Sequence, residues 1–140
     1  MLLIRCYTAE KISSSRYSPV GWECFWVHQA QTEEEALRYA ERVLADFNSH
    51  SACPVRVIRY WETLTLEEAY PLVRLGLLDK PPHDWRKTNL VTTSKGTDLA
   101  RCLCCGATGV RYGLGDFQTD TKSLKNHPFG CFPADWKNRR

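Results

Sequence analysis

Cysteine and histidine residues in the last third of the chain follow a spacing that constrains how this part can fold. Cys102 and Cys105 are separated by two residues and followed by Gly106, and His127 and Cys131 are separated by three residues, which gives C-x2-C-x21-H-x3-C. Thiolates and imidazoles at such spacings are typical of zinc sites, and a glycine after the second cysteine permits the positive φ that ends the turn. We therefore predict that Cys102, Cys105, His127 and Cys131 bind one zinc ion.

The residues between these two pairs predict a hairpin and a short helix. Residues 107–113 can return as the second strand of a hairpin, and residues 119–121 supply possible N-caps for a helix that brings His127 into place before Pro128 ends it. With three thiolates and one imidazole, segment 102–131 resembles a generic zinc ribbon or zinc finger of the CCHC type. The resemblance covers this segment alone.

The ligand set has alternatives that the sequence leaves open. Cys104 forms C-x-C with Cys102 and adjoins Cys105, so it could replace either of them on the metal. The cysteines could also be ordinary buried residues or a redox pair. Four protein ligands would close the coordination shell and leave no position for a catalytic water, so we expect the zinc to be structural.

The composition favours metal ligands over disulfides. The chain has 140 residues, the length of one domain, and seven cysteines, so at least one thiol is unpaired. Residues 1–4 are apolar but Arg5 follows at once, which is too short a run for the apolar core of an export signal. We expect a soluble cytoplasmic protein with no membrane contact, in a compartment where thiols stay reduced.

The N-terminal half predicts an α+β fold, with a small antiparallel or mixed sheet, one main amphipathic helix and the C-terminal zinc-bound subdomain. Strand composition occurs over residues 2–7, 22–29 and 55–61, and the serine-rich stretch 11–21 predicts a surface connection between the first two strands. We expect those two strands to be antiparallel.

Two capping boxes predict helices. Thr32 with Glu35 begins a pattern whose apolar positions recur at three and four residues, and Thr65 with Glu68 begins a second, shorter pattern. Pro71 should kink or shorten the second helix, and Gly76 should cap it. We divide the chain into an α+β domain over residues 1–78 (strand-strand-helix-strand-helix), a linker-like segment over 79–97 and a zinc-binding subdomain over 98–140.

The charge is distributed unevenly. Residues 1–85 contain 9 Lys/Arg and 12 Asp/Glu, and residues 86–140 contain 10 and 4. Basic residues of the second part alternate with aromatic ones, a mixture that can supply phosphate contacts and stacking faces. The nucleic-acid-binding residues that we predict are Arg111, Lys122, Lys125, Lys137, Arg139 and Arg140. The open alternative is that the aromatic side chains pack around the metal and the charges are solvated.

The sequence favours binding over catalysis. It contains no nucleophile elbow, P-loop, dinucleotide-binding glycine pattern or H-E-x-x-H helix, and His83 with Asp84 has no partner spacing that distinguishes it from a solvated turn. We expect a small non-enzymatic accessory protein that binds nucleic acid or a nucleoprotein complex through its basic end. The alternative is a protein-binding adaptor or inhibitor in which zinc is only a structural staple, since Trp22 and Trp26 on one strand face also suit a protein contact.

Overall fold

The computed structural model describes residues 1–51, 54–89 and 96–139. The chain divides into two compact units, Met1–Ala69 and Tyr70–Arg140. Both units combine helix with antiparallel sheet, and the Cys/His residues lie in the second unit. The predicted α+β fold class is confirmed.

A three-stranded antiparallel sheet forms the first unit. Its strands are β1 (Leu2–Lys11), β2 (Tyr17–Val27) and β3 (Arg56–Leu64), in the order β2-β1-β3. The predicted antiparallel pairing of β1 and β2 is confirmed, but the prediction of a connection over residues 17–21 is wrong because β2 begins at Tyr17. Pro19 is tolerated there because β2 is an edge strand, where one side of the backbone has no neighbour to receive an N–H.

Helix α1 (Glu33–His50) packs against this sheet. The side chain of Thr32 accepts a hydrogen bond of 3.2 Å from the backbone N–H of Glu35, so the predicted helix start is confirmed. The helix buries small residues, Ala36 and Ala40, against Ile4 and other core residues of the sheet. Small side chains at this contact bring the helix axis close to the strands, and one face of the sheet is thereby covered.

Helix α2 (Leu66–Arg74) follows β3 and is short. Glu68 N–H donates to the Thr65 hydroxyl at 3.2 Å, which confirms the second capping box. The helix contains Pro71 and ends soon after it. Gly76 has φ +74° and its N–H donates to the Val73 carbonyl at 3.0 Å, while Leu77 N–H donates to the Leu72 carbonyl at 2.9 Å. This pair of bonds is a Schellman cap, as the position of the glycine predicts.

The second unit contains a four-stranded antiparallel sheet in the order β4-β5-β6-β7. A short helix follows, capped by Asp120, whose carboxylate accepts a 2.8 Å hydrogen bond from the Ser123 N–H. The predicted hairpin and the predicted cap are both confirmed. The elements are β4 (Trp85–Lys87), β5 (Thr97–Cys102), β6 (Thr108–Tyr112), β7 (Gln118–Thr119), α3 (Thr121–Asn126) and a C-terminal 3₁₀ helix (Ala134–Asn138).

Strand β4 lies within residues 79–97, the segment predicted as linker-like. It pairs with β5, Trp85 opposite Cys102, and the Trp85 ring covers Gly109, where an added Cβ would lie 2.8 Å from the ring. Residues 85–87 and Thr97 of this segment therefore belong to the second sheet, and residues 90–95 lie outside the described residues. Within the described ranges, no helix has both the length and the apolar composition to cross a bilayer.

Candidate metal centre

The turn between β5 and β6 brings two cysteines together. Gly106 N–H donates to the Cys102 carbonyl at 3.0 Å, and Cys102 N–H donates to the Ala107 carbonyl at 2.8 Å. Gly106 has φ +78°, which residues with a Cβ rarely adopt. This is the turn that the C-x2-C-G spacing predicts, and it places the side chains of Cys102 and Cys105 on its inner side.

A second pair of backbone segments meets beside this turn. Cys131 N–H donates to the Pro81 carbonyl at 3.0 Å. Gly130 has φ +94°, and a Cβ at this position would lie only 2.6 Å from the Pro81 carbonyl oxygen. The backbone carbonyl of Asp84 accepts a hydrogen bond of 3.0 Å from the Leu103 N–H. These contacts hold His83, two residues after Pro81, against the cysteine turn.

Four side chains from these segments converge. One ligand atom from each of His83, Cys102, Cys105 and Cys131 lies within 4.8 Å of the others, so the group could hold a metal ion. The Sγ atoms of Cys102 and Cys131 are 3.5 Å apart, and Cys105 Sγ is 3.2 Å from His83 Nδ1. Sulfurs about 2.3 Å from one tetrahedral ion would be separated by about 3.8 Å. The separations thus suit a tetrahedral ion and exceed the roughly 2 Å of a disulfide.

The surroundings of this cluster also fit a metal site. Cys102 and Cys131 are buried, His83 and Cys105 are half-buried, and all three cysteines are free thiols. The backbone N–H of Asp84 points at Cys102 Sγ from 3.3 Å. A backbone amide directed at a sulfur stabilises a thiolate, which is the form that binds metal.

Proton sharing inside the cluster perturbs its pKa values. Hydrogen bonds with the Cys105 and Cys131 thiols lower the pKa of Cys102 far below its usual range, and hydrogen bonding to Cys102 raises the pKa of Cys131. Burial lowers the pKa of His83, but its hydrogen bonds to Cys102 and Cys105 outweigh burial and raise that pKa to about 9. Cys102, Cys131 and His83 therefore compete for protons at short range, and a cation would displace those protons and take the same lone pairs.

His127, which the spacing predicts as the fourth ligand, does not belong to this group. Its Nδ1 lies 2.7 Å from the Phe132 carbonyl oxygen, and its ring is 6.2 Å from the His83 ring between centroids. His127 N–H also donates to the Ser123 carbonyl at 2.8 Å, so the residue closes helix α3. The structure brings together Cys102, Cys105 and Cys131 as predicted, and His83 stands where His127 was expected. Cys104 is exposed and outside the four.

The observed set has the spacing H-x18-C-x2-C-x25-C. The sequence indicates His83 as a ligand only if residues before the cysteine turn are considered as well as those after it. Pro81 and Pro82 precede it, and prolines fix an extended backbone that can lie against another segment. The same prolines are also typical of a linker, and the sequence therefore predicts a linker-like segment here.

An aromatic cluster packs next to the centre in the same unit. The ring of Tyr70 lies 4.8 Å from Phe132, 5.4 Å from Trp136 and 6.0 Å from Phe129 between centroids. Phe132 and Trp136 are buried, and the Tyr70 hydroxyl donates to the Trp136 carbonyl. These aromatic residues pack against one another as a core, which is the arrangement that the open alternative of the sequence expects.

The predicted nucleic-acid-binding residues have different surroundings. Arg111 donates to the buried carboxylate of Asp98 at 2.7 and 3.1 Å, and Lys87 pairs with the same carboxylate, so Arg111 is held in a shared ion pair. Lys137 Nζ donates to the Asn126 side chain at 2.9 Å, which brings the 3₁₀ helix against α3. Lys122 and Lys125 are exposed on α3, the Arg139 guanidinium lies 3.9 Å from the Trp136 ring centroid, and Arg140 lies outside the described residues.

These features define a class: an α+β protein whose second unit contains a Cys3His cluster able to hold a metal ion. No protein-family model, curated protein or solved structure matches the chain.

Proposed function

We propose that the Cys3His cluster binds one structural zinc ion through His83, Cys102, Cys105 and Cys131. The separation of their ligand atoms supports this, because all lie within 4.8 Å, and three thiolates with one imidazole are a common donor set for zinc. Four protein ligands complete a tetrahedral shell and leave no open position for substrate or water. The ion would hold the segment before β4, the β5–β6 turn and the segment before the 3₁₀ helix together.

Metal analysis and two histidine variants test this assignment. Protein purified without chelator should contain about one equivalent of zinc, and cobalt should substitute with the visible spectrum of tetrahedral thiolate coordination. His83→Ala should weaken zinc binding by more than about 100-fold, since it removes a ligand. His127→Asn, which keeps a donor for the Phe132 carbonyl, should weaken it by less than about tenfold. If His127→Asn weakened zinc binding more than His83→Ala, the fourth ligand would be His127. If no preparation contained zinc, the proposed zinc site would be refuted.

We propose further that the second unit binds the phosphate backbone of nucleic acid through a basic surface formed by Lys122, Lys125 and Lys137. Lys122 and Lys125 are three residues apart on α3 and so share a helix face, and the contact of Lys137 with Asn126 brings a third ammonium beside them. In the described part of the chain, none of the three forms an ion pair with a carboxylate. These charges carry the proposal, because counterion release at phosphates depends on cations that are not held in ion pairs.

The salt dependence of duplex binding tests the basic surface. Changing all three lysines to Ala should lower affinity for a short duplex at low salt and reduce the slope of log K against log[salt] by about one for each phosphate that the variant no longer neutralises. Arg101→Ala is the matched control, an exposed cation on β5 of the same unit. If the triple variant has the wild-type slope, or if the wild type does not bind at low salt, the surface does not contact phosphates.

The second candidate is a protein-binding adaptor or inhibitor in which zinc is only a staple. It is favoured by Leu75 and Leu77, which follow α2 with 73% and 68% of their surface exposed. Binding to a protein partner through these leucines would depend little on salt, whereas phosphate binding depends on it steeply. A partner interaction that survives the triple lysine change and is abolished in Leu75→Ser with Leu77→Ser would favour the adaptor.

A further inference from the structure

Three aromatic side chains form a row across the sheet of the first unit. Tyr7 on β1 lies directly opposite Trp22 on β2 and Tyr60 on β3, and residues opposite one another in antiparallel strands point to the same face. The Tyr7 ring centroid is 5.3 Å from that of Trp22 and 6.1 Å from that of Tyr60. We call these three side chains the aromatic row.

The aromatic row stands on the face of the sheet that α1 does not cover. Ile4 and Cys6 of β1 belong to the core beneath α1, so Tyr7, the next residue along the strand, points the other way. Trp22 is 57% exposed and Tyr60 is 62% exposed. Large aromatic side chains are seldom left so exposed side by side, and here they cross three adjacent strands.

Positive charge surrounds the aromatic row. Arg5 and Lys11 share its face because they alternate with Tyr7 along β1, and the Arg5 guanidinium lies 5.8 Å from the Trp22 ring centroid. The Arg59 guanidinium lies 4.0 Å from the ring centroid of Tyr17, and Tyr17 is opposite Lys11 in the sheet. Three cations therefore border the row on this face.

Among the described residues of the three strands, the carboxylate on this face is Glu62, which pairs with Arg5. Glu23 lies opposite Cys6, and Glu10 lies opposite Arg56, so both carboxylates are on the α1 side of the sheet. The acidic residues that make residues 1–69 net negative are thus largely on the other side of the sheet, on or near α1. The row's own face is positive and suits a polyanion.

We infer that the aromatic row is a stacking platform for the bases of single-stranded nucleic acid, with Lys11 and Arg59 placed to contact its phosphates. Exposed aromatic faces bind bases of any sequence, and a positive border tracks the backbone. Protein interfaces are also rich in aromatic side chains and arginine, but lysine is depleted from them, so Lys11 beside the row favours a phosphate-bearing partner. Duplex bases are already stacked on each other, so the platform selects unpaired strands.

This inference uses a different unit and different residues from the basic surface proposed above, so either can fail alone. The test uses the full-length protein with zinc, a labelled oligothymidylate of about 15 nucleotides and a duplex of the same length, compared by fluorescence anisotropy at low salt. Trp22→Ala and Tyr60→Ala should each weaken single-strand binding by about 5- to 100-fold, the range for loss of one stacked base. Their duplex binding should be unchanged.

Two variants separate stacking from other effects. Tyr60→Phe keeps the ring and should bind single strands as the wild type does. Tyr39→Ala removes a 36% exposed ring on α1 that also lies near an arginine, Arg42, and should have no effect. Tyr60 lies on an edge strand and is mostly exposed, so its alanine variant should fold even if Trp22→Ala does not.

Wild-type single-strand affinity in a folded Tyr60→Ala variant would overturn the platform, as would a wild type that binds the duplex but no single strand. Loss of duplex binding in the triple lysine variant, with single-strand binding still sensitive to Tyr60, would support both sites. Duplex binding that is unaffected by the lysine changes, with the same sensitivity to Tyr60, would leave the platform standing and remove the basic surface.

Discussion

Changing Gly130 to Ala should disturb the candidate metal centre without removing any ligand. Gly130 has φ +94°, a conformation that costs a residue with a Cβ about 1–2 kcal/mol. The new Cβ would also lie 2.6 Å from the Pro81 carbonyl oxygen. This oxygen belongs to the backbone, so no side-chain rotation relieves the clash and the two segments must move apart.

Moving the two segments apart also breaks the hydrogen bond beside the clash. Cys131 N–H donates to the same Pro81 oxygen at 3.0 Å, and losing a hydrogen bond of this kind costs about 1 kcal/mol. Together with the conformational cost, Gly130→Ala should lower the free energy of unfolding by about 2–3 kcal/mol. It should also weaken zinc binding, because Cys131 and His83 are one and two residues from the two atoms that must separate.

Gly113→Ala is the matched control. Gly113 has φ +72°, but a Cβ there would meet nothing within 4 Å. This variant should lose about 1 kcal/mol of stability, and its zinc affinity should equal that of the wild type. Urea denaturation with saturating zinc and competition against a chromogenic chelator measure the two quantities. Equal losses in both variants, with unchanged zinc affinity, would refute the argument that the Pro81–Gly130 contact positions the ligands.

Three further outcomes follow from other parts of the molecule. Thr32→Ala removes the N-cap of α1 and should cost about 1 kcal/mol in chemical denaturation, whereas Thr32→Ser should be close to neutral. Asp98→Asn should cost about 2 kcal/mol because it leaves the Arg111 guanidinium without its carboxylate, and a loss below about 0.5 kcal/mol would mean that this pair is not stabilising. Burial raises the pKa of Cys6 from 9.0 to about 11, so its contribution to stability is complete below pH 9 and is lost as the pH rises through 11. Iodoacetamide at pH 8 should accordingly modify the exposed Cys24 well before Cys6, as mass spectrometry of tryptic peptides can measure.

Local chemistry was predictable from the sequence. Thr32 and Thr65 each begin a helix because the groups they cap lie three residues away, so tertiary structure is not needed to bring the partners together. The turn at Cys102 is predictable for the same reason, since Gly106 closes it within the same five residues.

The fourth member of the Cys3His cluster was not predictable, because its position depends on contacts between distant segments. His83 reaches the cysteines through the bond from Cys131 N–H to the Pro81 carbonyl, which joins residues 50 apart in the chain. The spacing of His127 suits a ligand, but nothing in that spacing reveals that its Nδ1 faces the Phe132 carbonyl. The early start of β2 was missed in the same way, since Pro19 is compatible with a strand only once β2 is known to be an edge.

The order of the ligands along the chain has a consequence for how the proposed zinc form assembles. Cys102 and Cys105 are neighbours and can capture an ion in an otherwise unfolded chain, but His83 and Cys131 join only when two loops close, over residues 83–102 and 105–131. Closing loops of about 20 and 27 residues costs an unfolded chain roughly 3.5 kcal/mol each by the relation used for disulfides. Zinc would then act as a reversible double cross-link, and its release should begin at His83 and Cys131 while the turn at Cys102 still holds the ion.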